Sequence, residues 1–241
     1  MRIIYMDHAA TTPTRPEVVR AMQPFWNKNF GNPGSLHMKG MEARNALDAA
    51  RESVAKVIKA FPSEIIFTGG GSESCNLAIK GFARANAAKG RHIITQATEH
   101  HAVLDTCRAL EKEGFLITYL PVDKHGLVNK ERLRQAIRPE TILVSIMYAN
   151  NEIGTIQPIK ELANIVHERN VVFHTDACQA GGLLDIDVRR LGVDMMTLNG
   201  SKIYGPKGVG MLYVRNGIKL EPLIHGGGQE NGLRSGTENV P

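Results

Sequence analysis

Lys202 lies in the run Asn199-Gly200-Ser201-Lys202-Ile203-Tyr204-Gly205-Pro206-Lys207-Gly208-Val209-Gly210, between two apolar segments. A lysine held in such a glycine- and proline-rich turn between buried strands is desolvated, which favours its neutral, nucleophilic amine. Lys202 is therefore a Schiff-base candidate, although an arbitrary loop lysine is usually only solvated surface. His174-Thr175-Asp176-Ala177-Cys178-Gln179 closes another apolar run, with Asp176 lying 26 residues before Lys202. An acid at the carboxyl end of a strand, in a low-dielectric cleft, can keep a pyridinium nitrogen protonated. Alone Asp176 is a common cap. Together with Lys202 it points to a pyridoxal phosphate site.

Three further segments add to that chemistry. Phe67-Thr68-Gly69-Gly70-Gly71-Ser72-Glu73-Ser74 reads as a strand turning through glycines into a helix, where free N–H groups, the helix dipole and the Ser72 hydroxyl suit a phosphate. It lacks the Gly-Lys-Ser/Thr ending of a P-loop. Thr98-Glu99-His100-His101 invites a metal reading, but no further histidine or cysteine stands three or four residues on, and an imidazole stacked on a cofactor ring suits His100 better. Tyr148-Ala149-Asn150-Asn151-Glu152 offers amides at another strand end, and by itself is merely a turn.

The elements that must position these residues are legible as alternation. Apolar runs at 65–67, 92–95, 115–120, 141–148, 171–174, 195–198 and 211–214 read as strands covered on both faces, hence as a parallel or mostly parallel sheet. Helical stripes lie between them, with Ala43, Leu47, Ala50, Val54 and Val57 on one, Val103, Leu104, Cys107 and Leu110 on a second, and Leu162, Ile165 and Val166 on a third. This is an α/β layered domain whose ligands belong at the carboxyl ends of the strands. No repeat or linker divides the 241 residues.

Composition excludes several classes. With 42% hydrophobic and 22% charged residues the chain is not of the disordered type. No apolar run reaches the roughly 18 to 20 residues of a membrane span, and the start lacks a signal-peptide pattern. The net charge of +5 is spread among alternating acids and bases, and only 5% of residues are aromatic, which argues for a solvated basic surface and against nucleic-acid binding. Three widely separated cysteines, Cys75, Cys107 and Cys178, fit a reducing, cytoplasmic setting.

In order and spacing these segments resemble the cysteine desulfurases, in class V of the pyridoxal-phosphate aminotransferases. The similarity runs from Tyr5-Met6-Asp7-His8-Ala9-Ala10-Thr11-Thr12-Pro13 through Phe30-Gly31-Asn32-Pro33 to His225-Gly226-Gly227-Gly228 and Leu233-Arg234-Ser235-Gly236-Thr237. Gly205-Pro206-Lys207-Gly208 and Arg234-Ser235-Gly236-Thr237 are similar to the housekeeping and nitrogen-fixation branch. The resemblance implies the large domain of fold type I, aspartate-aminotransferase-like: a mostly parallel sheet with helices on both faces over residues 16–241, preceded by an arm at 1–15. It implies that Lys202 carries the cofactor and shuttles the α-proton, that His100 stacks on the ring and assists acid/base steps, and that Asp176 and Gln179 meet the ring nitrogen and hydroxyl. Gly71 and Ser72 would hold the phosphate, Thr237 would reach the phosphate of the other subunit of a homodimer, and Asn151 would place substrate or ring oxygen. The family takes sulfur from L-cysteine, leaving alanine and a persulfide for iron–sulfur cluster scaffolds or other acceptor proteins.

Two departures qualify the expectation. Where the family usually reads Ser-Gly-His-Lys, this chain has Asn199-Gly200-Ser201-Lys202, so Asn199 and Ser201 are expected to donate to the phosphate in place of the usual pair. Family members also continue into a smaller C-terminal domain bearing a substrate-carboxylate arginine and a loop cysteine that attacks sulfur. The chain is thus expected to be a truncated cofactor-binding domain, with desulfuration incomplete in it. The alternatives are another class V lyase or aminotransferase, and a non-catalytic half that needs a separate C-terminal domain. Cys107 and Cys75 are expected to pack in the core, and Cys178 to be a small side chain beneath the ring.

Overall fold

The computed structural model describes residues 3–241, so Met1 and Arg2 of the expected arm lie outside the described residues. Seven strands, β1 (Ile65–Thr68), β2 (His92–Gln96), β3 (Leu116–Leu120), β4 (Thr141–Ser145), β5 (Val172–Asp176), β6 (Met195–Asn199) and β7 (Gly210–Val214), form one sheet in the order β1-β7-β6-β5-β4-β2-β3. Only β7 runs antiparallel to its neighbours, β1 and β6, so the sheet is mostly parallel as expected. Every residue of β2, β4 and β7 is buried, which is why 93–95, 141–145 and 211–214 read as unbroken runs of apolar or hydroxyl-bearing residues.

Nine α-helices accompany the sheet: α1 (Pro16–Met22), α2 (Pro24–Asn27), α3 (Met38–Ile58), α4 (Gly71–Asn76), α5 (Phe82–Ala85), α6 (His101–Lys112), α7 (Lys130–Ala136), α8 (Ile159–His167) and α9 (Val188–Leu191), among the described residues. Two buried clusters result. Ile94, Val144, Phe173 and Met196 pack with Leu162 and Val166 of α8 in one, and Ile93, Leu143 and Leu212 pack with Val103, Cys107 and Leu110 of α6 in the other. The two clusters draw alternate residues of the same strands, as a sheet with helices on both faces requires.

Three sequence expectations are corrected. The strand β3 is not covered on both faces: it is the sheet's edge, and Leu116 is 56% exposed. The run 141–148 is a strand only to Ser145, beyond which Ile146 and Tyr148 still donate to the His174 and Asp176 carbonyls and carry the chain out over the end of β5. The stripe of α3 is Gly40, Ala43, Leu47, Ala55 and Ile58, while Ala50 and Val57 face solvent. Arg51 takes the middle of that inward face. Its guanidinium grips the buried Glu230 carboxylate at 2.6 and 2.8 Å and donates to the Ile65 carbonyl at 2.7 Å, so a charged residue replaces the apolar one that periodicity assumes.

Two histidines are built into the sheet. His174 is fully buried, with Nδ1 on Ser145 Oγ at 2.9 Å and Nε2 on Thr197 Oγ1 at 3.0 Å. Burial pushes its pKa down to about 4 from an ordinary 6.5, and His92 shifts in the same direction. Below pH 6.5 the unfolded chain takes up a proton that the folded one refuses, so stability present above 6.5 is lost as pH falls toward 4. Urea unfolding at stepped pH should show about 3 kcal/mol lost over that window through His174, and His174→Gln should flatten the slope.

Candidate functional site

The carboxyl ends of the parallel strands open into a cavity of about 370 Å³. Six chain segments supply its wall, and five of them, at the ends of strands, are there for a local reason. At the end of β6, Gly200–Lys202 form a single 3-10 turn that starts from Asn199. Gly200 has no room for a side chain, since a Cβ there would sit 2.6 Å from Val209 Cγ1. The turn presents Lys202, whose Nζ donates to the Ala9 and Ala10 carbonyls at 2.7 and 2.5 Å.

Asp176 ends β5 and is 6% exposed, its Oδ1 accepting from the Cys178 amide at 3.0 Å and its Oδ2 facing Cys75 Sγ at 3.7 Å. Gln179 lies one turn on and donates through Nε2 to the Ala9 carbonyl at 2.8 Å. After β1 the chain passes through Gly70, at φ 150°, into α4, which continues through a π-turn into α5. No side chain caps α4, so its first N–H groups, at Gly71 and Ser72, open on the cavity. A Cβ on Gly71 would come within 2.8 Å of Cys178 Sγ, so only glycine leaves that floor intact.

His100 precedes α6 as its cap, Nδ1 accepting from the Ala102 amide at 3.0 Å, which leaves the ring proton on Nε2 in this arrangement. Asn151 reaches the cavity because Asn150 anchors the turn: its Nδ2 donates to the Thr98 carbonyl at 2.8 Å and its Oδ1 accepts from Glu152 and Ile153.

Lys202, His100, Gly71, Ser72, Asn151, Asp176, Gln179 and Asn199 thus share one cavity. Ser201 and Thr237 are not among its lining residues. Ser201 is drawn away because Asn199 Oδ1 accepts both its amide at 3.2 Å and its hydroxyl at 3.3 Å, and its carbonyl accepts from Thr12. Thr237 is exposed elsewhere on the surface.

Sequence reasoning gave the arm no chemistry, yet Asp7, Ala9 and Ala10 line the cavity, as do Met147 and Ala149. Thr12 straps the arm down, its amide and hydroxyl donating to the Ser201 carbonyl at 2.9 and 3.0 Å while its Oγ1 accepts from Tyr204 N–H at 2.8 Å. These contacts join residues about 190 positions apart, and no local pattern announces them. Cys178 belongs to the floor. Burial first, and the Asp176 carboxylate second, push its thiol well above the ordinary range, the state of a packing residue and not of a nucleophile.

The donor set fits pyridoxal phosphate. Uncapped helix N–H groups and the Ser72 hydroxyl suit its phosphate, a buried carboxylate suits a ring nitrogen, and a primary amine opens on the same space.

Comparison with known proteins agrees with this geometry. The family model for aminotransferase class-V matches residues 4–241. The cysteine desulfurase IscS of Dictyoglomus turgidum is 58% identical over 239 residues, covering 99% of this chain and 61% of that protein. The cysteine desulfurase IscS of Methanosarcina thermophila is 56% identical over 240 residues, 100% of this chain and 59% of that protein. Among solved structures a NifS-like protein superposes with a TM-score of 0.96 at 45% identity, over 98% of this chain and 66% of its own. SspA in complex with cysteine superposes with a TM-score of 0.95 at 48% identity, over 98% of this chain and 69% of its own. The chain spans about 60% of the length of the curated relatives it matches.

Proposed function

The chain belongs to the class-V aminotransferases, and from that premise we propose that it is the pyridoxal-phosphate-binding part of a cysteine desulfurase. The observation that carries this reading is one cavity walled by a lysine, a buried aspartate, an imidazole and an uncapped helix start. Its similarity to IscS proteins and to a solved structure of SspA with cysteine supports L-cysteine as substrate. The proposed arm is 1–15, of which 3–15 are among the described residues, and the proposed cofactor-binding domain is 16–241.

Bound in the cavity, the cofactor supplies an electron sink for the α-carbon of an amino acid. The protein's own groups do the rest. The Gly71 and Ser72 N–H groups hold the phosphate, with Asn199 beside them, and Ser201 joins only if its hydroxyl turns from Asn199. Asp176 would pair with the ring nitrogen and Gln179 with the ring hydroxyl. Lys202 would fix the cofactor and move the proton at Cα, His100 would lie over the ring and exchange protons there, and Asn151 would orient the substrate. In the overall reaction the Cβ–S bond of L-cysteine breaks, Cβ gains a proton, and the sulfur passes to a thiolate as persulfide, from which a dithiol releases sulfide. An iron–sulfur cluster scaffold or another acceptor protein receives that sulfur in a cytoplasmic setting.

A second copy of the chain is the partner proposed for the exposed apolar side chains near the start of the chain, among which Met6, Trp26, Phe30 and Leu36 are each at least 59% exposed. Among the described residues no helix is long and apolar enough to cross a membrane.

The test adds pyridoxal phosphate to the chain, records the visible absorption, then measures alanine and sulfide from L-cysteine with a dithiol. A new band is the expected result, and no band would overturn the assignment; equimolar alanine and sulfide would show that the chain needs no thiol beyond its own and the added dithiol. A band without alanine would favour the second reading, a cofactor-binding half that needs another polypeptide.

A further inference from the structure

Glu99 is a titratable residue for which the proposed chemistry has no use, and it is 6% exposed. Its Oε1 accepts from the Met147 amide at 2.5 Å, and its Oε2 is buried with no hydrogen-bond partner. The titratable groups around it are Asp176 at the end of β5, Cys75 on α4 and Cys107 on α6, with the Gln96 amide beside it at the end of β2. None of these is a cation. A carboxylate there would be a buried, uncompensated charge next to another acid, whereas the neutral acid leaves a single polar group to satisfy.

The geometry around it is a clamp. Glu99 ties its own turn to Met147, and Asn150 Nδ2 ties the same turn to itself through the Thr98 carbonyl at 2.8 Å. His100 follows directly, and both His100 and Met147 line the cavity. We propose that Glu99 is a positioning residue for His100: as a neutral acid clamped on the Met147 amide, it fixes the turn from which the imidazole enters the cavity. The inference deepens the proposed function and rests on the reading of His100 as the group over the cofactor ring. Burial, with Asp176 adding to it and the Met147 amide and the Gln96 side chain opposing, holds the Glu99 carboxyl well above its ordinary range.

Two variants test this. Glu99→Gln keeps the length and the acceptor while removing the ionisable group, and Glu99→Asp keeps the acid but is one methylene too short for the Met147 amide. In the cofactor-free chain, the His100 ring signals in NMR should be unchanged in Glu99→Gln and displaced in Glu99→Asp. The stability that a raised carboxyl contributes is full below its ordinary pKa of 4.5 and is lost as pH rises through the folded value. Against rising pH, the parent should therefore lose stability relative to Glu99→Gln. With pyridoxal phosphate bound, α-proton exchange of L-alanine should fall roughly ten- to a hundredfold in Glu99→Asp and recover in Glu99→Gln. Equal displacement of the His100 signals by both variants, or parallel stability curves for parent and Glu99→Gln, would overturn the proposal. Should the cofactor fail to bind at all, the reading of the site fails, while the NMR and stability measurements still decide the role of Glu99.

Discussion

Lys202→Ala abolishes the covalent attachment of pyridoxal phosphate that borohydride reduction makes permanent in the parent chain. The expectation follows from the lack of a substitute amine. Of the cavity's lining residues, Lys202 is the only lysine. Lys207, the next lysine along the same loop, lines a different hollow beside Thr68, Glu230 and Arg234. The turn Gly200–Lys202 cannot slide to bring Lys207 in, because Gly200 and Gly210 are pressed against backbone and neighbouring side chains, with a Cβ at Gly210 falling 2.6 Å from Gly70. After reduction, mass spectrometry of the peptide containing residue 202 should show the adduct in the parent and none anywhere in the variant. Exchange of an amino acid's α-proton, read by deuterium incorporation, should fall by about 10²- to 10⁴-fold, the range for loss of a positioned acid/base group. The variant should keep the fold, since Nζ contacts only the Ala9 and Ala10 carbonyls. A reduced adduct at another lysine, or undiminished exchange, would refute the role of Lys202.

What could be read in the sequence was what local physics writes there. Buried strands must be apolar along their length, and each turn carrying Lys202, Asp176, Gly71, His100 or Asn151 follows such a run, so the strand-end placement of all five was visible. The order of strands was not visible, because β7 enters between β1 and β6 through a reversal that no residue pattern marks. Neither was the inward-facing Arg51, which is tolerated only because Glu230 stands opposite it 179 residues later. Ser201 shows the same limit at the site. Its type suits a phosphate donor, but the Asn199 side chain one residue beyond Gly200 captures its hydroxyl, and Thr12 captures its carbonyl. The arm was legible as a motif but not as a wall of the cavity, because its place depends on those distant contacts.

Asp176→Asn should separate binding from chemistry at the other end of the cavity. Asparagine matches aspartate in shape, and its Oδ1 can still accept from the Cys178 amide as the aspartate does at 3.0 Å. The floor should therefore stay in place and the visible band should still form, at somewhat higher cofactor concentration. What disappears is the negative charge facing the ring nitrogen, and with it the means of keeping that nitrogen protonated while charge builds at the α-carbon. Removing one preorganised electrostatic partner of this kind costs about 10²- to 10³-fold in rate, and α-proton exchange should fall by that much with the cofactor saturating. A second readout tests the same charge without any cofactor. Asp176 helps push up both the Cys75 and Cys178 thiols, after burial. Losing it lets more thiolate form, so a thiol reagent should modify Cys178, the less enclosed of the two, faster in the variant than in the parent. Unchanged exchange together with unchanged thiol reactivity would mean that residue 176 contributes shape alone. Faster thiol modification with unchanged exchange would confine the role of its charge to the protein floor and remove it from the ring.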